Sequence, residues 1–258
     1  MFYRNVNLSD NARIEIASIE ASSKKKPFLM LHEGLGCVKM WESFSRALHL
    51  STRRNVYSYS RLGYGSSDRC ELPRNSDYHM VEAVEHLPSV IHSLNLNSCI
   101  LVGHSDGASI ALLYAALVRK KIKALILLSP HIKTENKTLS QIRFIRERYQ
   151  NSDLQKSMKK YHGENQDCAF YGWSDCWLSE QFKQWNIEPY LSQVTVPVLN
   201  IRGNDDPFNS RLHVDVIRDN ISAIAMNVNL DHCKHSPHRE CPETVLGAVN
   251  YFLKLFKL

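Results

Sequence analysis

Ser105 lies in Gly103-His104-Ser105-Asp106-Gly107, a Gly-x-Ser-x-Gly pattern. An apolar run, Cys99–Val102, precedes it, and a small-residue stretch, Ala108–Val118, follows. A strand that turns this tightly into a helix needs small flanking residues, because the two elements pass at close range. Such a turn is strained, lifts the hydroxyl above the sheet and aims a helix N-terminus at it. A serine hydroxyl is a weak nucleophile by itself. It needs a base to take its proton and an acid to hold that base in the right tautomer. The chemistry implied is acyl transfer.

Behind a nucleophile elbow the acid and then the base follow along the chain. The apolar run Val198–Ile201 ends in Arg202-Gly203-Asn204-Asp205-Asp206-Pro207, which puts two adjacent carboxylates beyond a strand end. Asp206 is preferred and Asp205 is the alternative. His232, His235 and His238 compete for the base; His235 is preferred because it falls in a loop between the last strand and the final helix. Their spacing beside Pro237 disfavours a single helical face, so they are read as loop residues rather than metal ligands, and no metal is expected. An oxyanion needs two preorganised donors. The amide of Asp106 supplies one. The loop His32-Glu33-Gly34-Leu35-Gly36 supplies the other, from Gly34 or from Leu35.

The elements that must position these groups follow from periodicity. Phe2–Leu8 and Arg13–Glu20 alternate around Ser9-Asp10-Asn11 and predict a hairpin. Pro27–Leu31, Asn55–Ser60, Cys99–Val102 and Ala124–Leu128 read as strands, separated by helical spacing at Trp41–Leu48, Tyr78–Leu94 and Ala108–Val118. Pro88 should kink or split the second of these helices. Strand and helix in alternation imply a mainly parallel sheet. From Lys133 to about Leu191 the rhythm stops and the chain turns polar and aromatic, which predicts an inserted helical cap. A strand at Val196–Ile201, a helix near Leu212–Arg218, a strand near Ala223–Val228 and a closing helix at Pro242–Phe256 then resume the pattern.

The bulk properties agree with one such unit. The chain has 258 residues, 43% hydrophobic and 22% charged, enough for one large α/β domain with an insertion. No apolar run approaches a membrane span. The N-terminus has no apolar segment of the secretory kind, and the seven cysteines lack Cys-x-x-Cys spacing; reduced thiols in the cytoplasm are the expectation. The net charge of +6 reads as a solubility surface or as attraction to an acidic partner. The basic residues are scattered without a stacking motif, so no nucleic-acid partner is expected.

At these residues the sequence resembles the α/β-hydrolase superfamily over essentially its whole length. The resemblance rests on the His-Glu-Gly-Leu-Gly loop, Ser-Arg-Leu-Gly-Tyr-Gly-Ser-Ser at 60–67, the serine elbow, Arg-Gly-Asn-Asp-Asp at 202–206 and His-Ser-Pro-His-Arg-Glu-Cys-Pro at 235–242. It implies a mostly parallel eight-stranded sheet flanked by helices, with the core at 1–132 and 191–258 and the cap at 133–190. Aligned with the family patterns, the acid is Asp206 and the base His235. In style the sequence is similar to capped bacterial carboxylesterases, including those that demethylate pimeloyl-acyl carrier protein, and to carbon–carbon bond hydrolases. Two residues depart from the family: Glu33, where many relatives have glycine, and Asp106, where many have a small or apolar residue.

The leading expectation is a cofactor-independent carboxylic ester hydrolase working through an acyl-enzyme on Ser105. Its substrate would be a small-molecule ester, or a methyl ester carried by an acidic acyl carrier protein. The alternatives are a hydrolase of carbon–carbon bonds in diketone-like substrates and a non-catalytic binding protein of the same fold. Cap aromatics suit an apolar pocket above the serine. Leu35, Trp173 and Trp177 are its expected lining, although the tryptophans could equally serve the core of the cap itself.

Overall fold

The computed structural model describes residues 1–258. The chain opens with β1 (Phe2–Asn7) and β2 (Arg13–Ile19), paired antiparallel with Phe2 opposite Ser18. The turn between them is closed by Asp10, whose carboxylate accepts from the Ala12 amide at 3.0 Å, and by Asn11 at φ 67°. β3 (Phe28–Leu31) leads through the Gly34 loop to α1 (Glu42–Thr52) and β4 (Val56–Tyr59). α2 (Tyr78–Val81) passes through a π-helical turn at Glu82–His86 into α3 (Leu87–Ser93). Pro88 thus falls in the first turn of α3, where its missing N–H is tolerated, and the wide turn before it absorbs the interruption.

β5 (Cys99–His104) runs into α4 (Asp106–Leu117), and β6 (Ile122–Leu128) follows. Between β6 and the next strand stand α5 (Asn136–Glu147), α6 (Asp153–His162) and α7 (Gln166–Trp177), with short 3₁₀ turns after them. The chain closes with β7 (Val198–Gly203), α8 (Leu212–Asn220), β8 (Ala225–Leu230), a short α9 (Pro237–Glu240) and α10 (Pro242–Leu255). The strands form one eight-stranded sheet in the order β1-β2-β4-β3-β5-β6-β7-β8. Only the β1–β2 and β2–β4 pairs are antiparallel.

The central strands β3 to β6 are almost wholly buried, as a sheet covered on both faces requires. On one side α3 and α4 pack Leu87, Ile91, Ile110 and Leu113 over Leu29, Leu101 and Leu125. On the other, α1 and α10 pack Phe44, Leu48, Val249 and Phe252 over Met30, Val102 and Ile126. α4 has no exposed face, which suits its alanine-rich composition and fixes the ledge on which Ser105 sits. No helix is long and apolar enough to cross a membrane.

Five histidines, His32, His79, His131, His162 and His238, are buried, and burial pushes each below its ordinary pKa of 6.5. They stay neutral in the folded chain while the unfolded chain binds protons below about pH 6.5. Each therefore removes up to about 1.4 kcal/mol of stability per pH unit as pH falls through that value. Glu135 acts further down. Burial would raise its pKa, but hydrogen bonds from His213 and Ser210 pull it to about 2, so its contribution is lost between its ordinary 4.5 and that value. Urea midpoints should be level from about pH 8 to 7 and fall steadily below about pH 6.5. A midpoint that stays level down to about pH 5 would mean these rings are not held neutral.

Candidate active site

Ser105 is the residue between β5 and α4, held at φ 53°, ψ −117°. Its amide donates to the Leu128 carbonyl at 2.9 Å, and its carbonyl accepts from Ala108 and Ser109 as the helix begins. The flanking glycines are required by contact. A Cβ at Gly103 would strike Gly107 and Ala108, and one at Gly107 would strike the Leu31 and His32 carbonyls of the neighbouring strand end. The backbone conformation is disfavoured for any side chain and persists because both sides are fully packed.

His235 reaches back from the loop between β8 and α9. Its Nε2 lies 3.0 Å from Ser105 Oγ, and its Nδ1 lies 2.8 and 2.9 Å from the two carboxylate oxygens of Asp206. Asp206 sits just beyond β7 and also accepts from the amides of Phe208 at 2.8 Å and Asn209 at 3.2 Å. Burial disfavours its charge, but His235 and the Phe208 amide outweigh that and hold it well below the usual carboxylate range. An ionised, buried Asp206 needs a donor at Nδ1, which leaves the Nε2 lone pair facing the serine.

The competing residues lie elsewhere. Asp205 is exposed and its side chain bonds nothing, while its amide donates to the Cys233 carbonyl. His232 is exposed in a left-handed turn at φ 54°. His238 is not the loop residue expected from sequence: it is buried, its ring 4.5 Å from that of Trp41 and 5.6 Å from that of Phe44. No cluster of His, Cys, Asp and Glu has the arrangement of a metal site.

Gly34, Leu35, Asp106, Trp173 and Trp177 all line one cavity of about 160 Å³ that opens onto Ser105 and His235. The amides of Gly34, Leu35 and Asp106 donate to no protein acceptor, so both loop amides stay available beside that of Asp106. Trp173 covers Gly34 so closely that a Cβ there would enter its indole ring. The Trp177 indole N–H donates to Tyr78 Oη at 3.0 Å, and Tyr78 in turn donates to the Asp106 carboxylate. That carboxylate faces inward, 3.4 Å from His79 and 3.8 Å from Arg61. Burial opposes its charge, yet His79, Arg61 and Tyr78 keep its pKa well below the ordinary range. Its charge is thus answered inside the protein.

Several neighbours carry no sequence signal. Glu33 lies 3.4 Å from His104 Nδ1, and His104 Nε2 donates to the His235 carbonyl at 2.7 Å. The His104 ring thus holds the backbone of His235 and stands beside the carboxylate of the Gly34 loop. From the start of α5, Lys137 Nζ donates to the carbonyls of Asp206 and Asn209, and Thr138 donates to that of Phe208 at 2.6 Å. His131, after β6, also lines the cavity. Among these, His104 sits in the serine elbow and Glu33 in the His-Glu-Gly-Leu-Gly loop, while Lys137, Thr138 and His131 lie in no motif.

Comparison with known proteins agrees with the fold. Residues 26–154, half of the chain, match the family model described as alpha/beta hydrolase fold. A (lyso)-N-acylphosphatidylethanolamine lipase of Bos taurus is 30% identical over 128 residues, 49% of this chain and 37% of that protein. The aligned part therefore spans little more than a third of that relative. An esterase/lipase-named protein of Mycoplasma genitalium is 26% identical over 94% of both chains. The crystal structure of a membrane phospholipase A superposes with a TM-score of 0.79, covering 99% of this chain and 86% of that one at 21% identity. At that identity the likeness concerns the fold.

Proposed function

Because the chain belongs to the alpha/beta hydrolase fold family, we propose that it is a serine hydrolase of carboxylic esters, acting through an acyl-enzyme on Ser105. The observation that carries this reading is the unbroken hydrogen-bond chain Ser105–His235–Asp206, whose serine end opens into the cavity beside free amides. His235 Nε2 takes the Ser105 proton as Oγ bonds to the acyl carbon, and the carbonyl π pair moves onto oxygen. The amides of Asp106 and of Gly34 or Leu35 face that oxyanion. Asp206 balances the imidazolium. Collapse breaks the ester C–O bond, and the departing alkoxide takes the proton from Nε2. Water then repeats the sequence, with Nε2 as base, and frees the acid and Ser105.

The cavity size speaks to the substrate. A cavity of about 160 Å³ is close to the roughly 150 Å³ that holds a benzene molecule in an engineered protein core. Such a space accepts a short acyl chain or one ring within its walls, and leaves a long chain outside them. The helices α5–α7 act as the cap in this reading, since Ile142, Ile145, Trp173 and Trp177 supply most of the apolar wall. A fluorophosphonate probe should label the folded protein at Ser105, located by peptide mass spectrometry. A ladder of p-nitrophenyl esters from acetate to decanoate should give its highest kcat/KM among the short members. Folded protein that takes up no probe would overturn the enzymatic reading, and a maximum at decanoate would overturn the substrate size.

A further inference from the structure

His131 is buried at the wall of the cavity, and neither ring nitrogen has a hydrogen-bond partner: Nδ1 is fully enclosed, and Nε2 is the nitrogen left with access to the cavity. Its backbone is fixed on both sides. The His131 carbonyl accepts from Ser109 Oγ on α4 at 2.6 Å, and the next amide, of Ile132, donates to His213 Nδ1 on α8 at 3.2 Å. The ring stands 5.5 Å from Trp177, 5.2 Å from His213 and 5.7 Å from His235, centroid to centroid.

Each of those neighbours has its polar atoms engaged elsewhere. The Trp177 N–H goes to Tyr78. His213 uses Nδ1 for Ile132 and Nε2 for Glu135, the latter at 2.7 Å. His235 uses its two nitrogens for Asp206 and Ser105. A neutral imidazole always carries one N–H donor and one bare nitrogen. Leaving a buried polar atom unpaired costs about 1–3 kcal/mol, so such a group in a cavity wall marks where a ligand supplies the partner. Burial, with His213 and His235 alongside, keeps the ring uncharged, which suits a hydroxyl or carbonyl and not an anion.

We infer that His131 is a specificity-determining residue that hydrogen-bonds an oxygen of the substrate other than those of the scissile ester group. This rests on the ester-hydrolase reading and narrows it: the preferred esters carry a hydroxyl or carbonyl near the scissile group, on the acyl or the alcohol side. A plain alkyl ester leaves the ring unpaired, and a site built for a hydrogen bond discriminates against the analogue that lacks it.

Two substrate pairs test the inference. The acyl pair is p-nitrophenyl β-hydroxybutyrate against p-nitrophenyl butyrate. The alcohol pair is glycol monobutyrate against propyl butyrate, followed by acid release. The native protein should favour the oxygenated member of at least one pair by about tenfold in kcat/KM, equivalent to about 1.4 kcal/mol. His131→Phe should erase that ratio, and His131→Asn, which restores a donor and an acceptor, should recover part of it. A ratio near one for the native protein in both pairs, or a ratio that His131→Phe leaves intact, overturns the role of His131. Hydrolysis of the plain esters by the native protein would in that case keep the ester-hydrolase reading standing, whereas no hydrolysis of any of the four overturns both.

Discussion

Ser105→Ala is expected to lower kcat/KM on short esters by at least about 10⁴-fold, equivalent to about 5.5 kcal/mol of transition-state stabilisation. The nucleophile is gone, and only binding and the oxyanion amides remain. The fold should survive. The serine hydroxyl has one side-chain partner, His235 Nε2 at 3.0 Å, and alanine meets the same backbone demand at φ 53° that serine meets. Unfolding free energies of the two proteins from urea titration should therefore agree within about 1 kcal/mol. A folded variant that keeps more than about a tenth of the activity would place the nucleophile elsewhere. His235→Ala should fall nearly as far as Ser105→Ala, because the two residues act as a unit, while His232→Ala should leave activity close to native.

Asp206→Asn should lose about 10⁴-fold in kcat, and Asp205→Asn less than about twofold. The local hydrogen bonds decide how the new amide sits. Oδ1 of Asp206 already accepts from the amides of Phe208 and Asn209. An asparagine keeps its oxygen there and turns its NH₂ toward His235 Nδ1. The imidazole must then present a bare Nδ1 and carry its proton on Nε2, facing the serine it should deprotonate. Asp205 has no such contact and is exposed. Parallel measurement of kcat for the two variants checks this, and equal small losses would sink the assignment of the acid.

Much of this site was legible in the sequence because its signals are local. The elbow is five consecutive residues between an apolar run and a small-residue run, so Ser105 and the amide of Asp106 could be read without the fold. Strand ends narrow the acid to Asp205 or Asp206 and the base to His232, His235 or His238, and the family patterns select Asp206 and His235. The supporting shell was not legible, because its contacts join residues far apart in the chain with no common spacing. Nothing near Glu33 announces His104, and nothing near Lys137 announces Asp206. The same holds for His238: a loop composition says little about a ring that tertiary packing places against Trp41 and Phe44. Pro88 shows a subtler limit. The residue type implies a kink or a split, and the chain carries a π turn at Glu82–His86 just ahead of it.

The segment between β6 and β7 leaves and rejoins the sheet at one place. Lys133 pairs with Asn186, the Thr134 amide donates to the Trp185 carbonyl at 3.0 Å, and the Ile187 amide donates to the Ile132 carbonyl at 2.7 Å. With its two feet clamped together, the excursion can change length at little entropic cost to the rest of the chain. The freedom is not uniform, however. Glu135, Lys137 and Thr138 hold the loop that carries Asp206 and Ser210, so the entry to α5 is tied to that loop. In evolutionary terms the excursion splits in two. Beyond Thr138 the wall over the serine can be rebuilt without disturbing the sheet, while the few residues up to that boundary are held by the loop that carries Asp206.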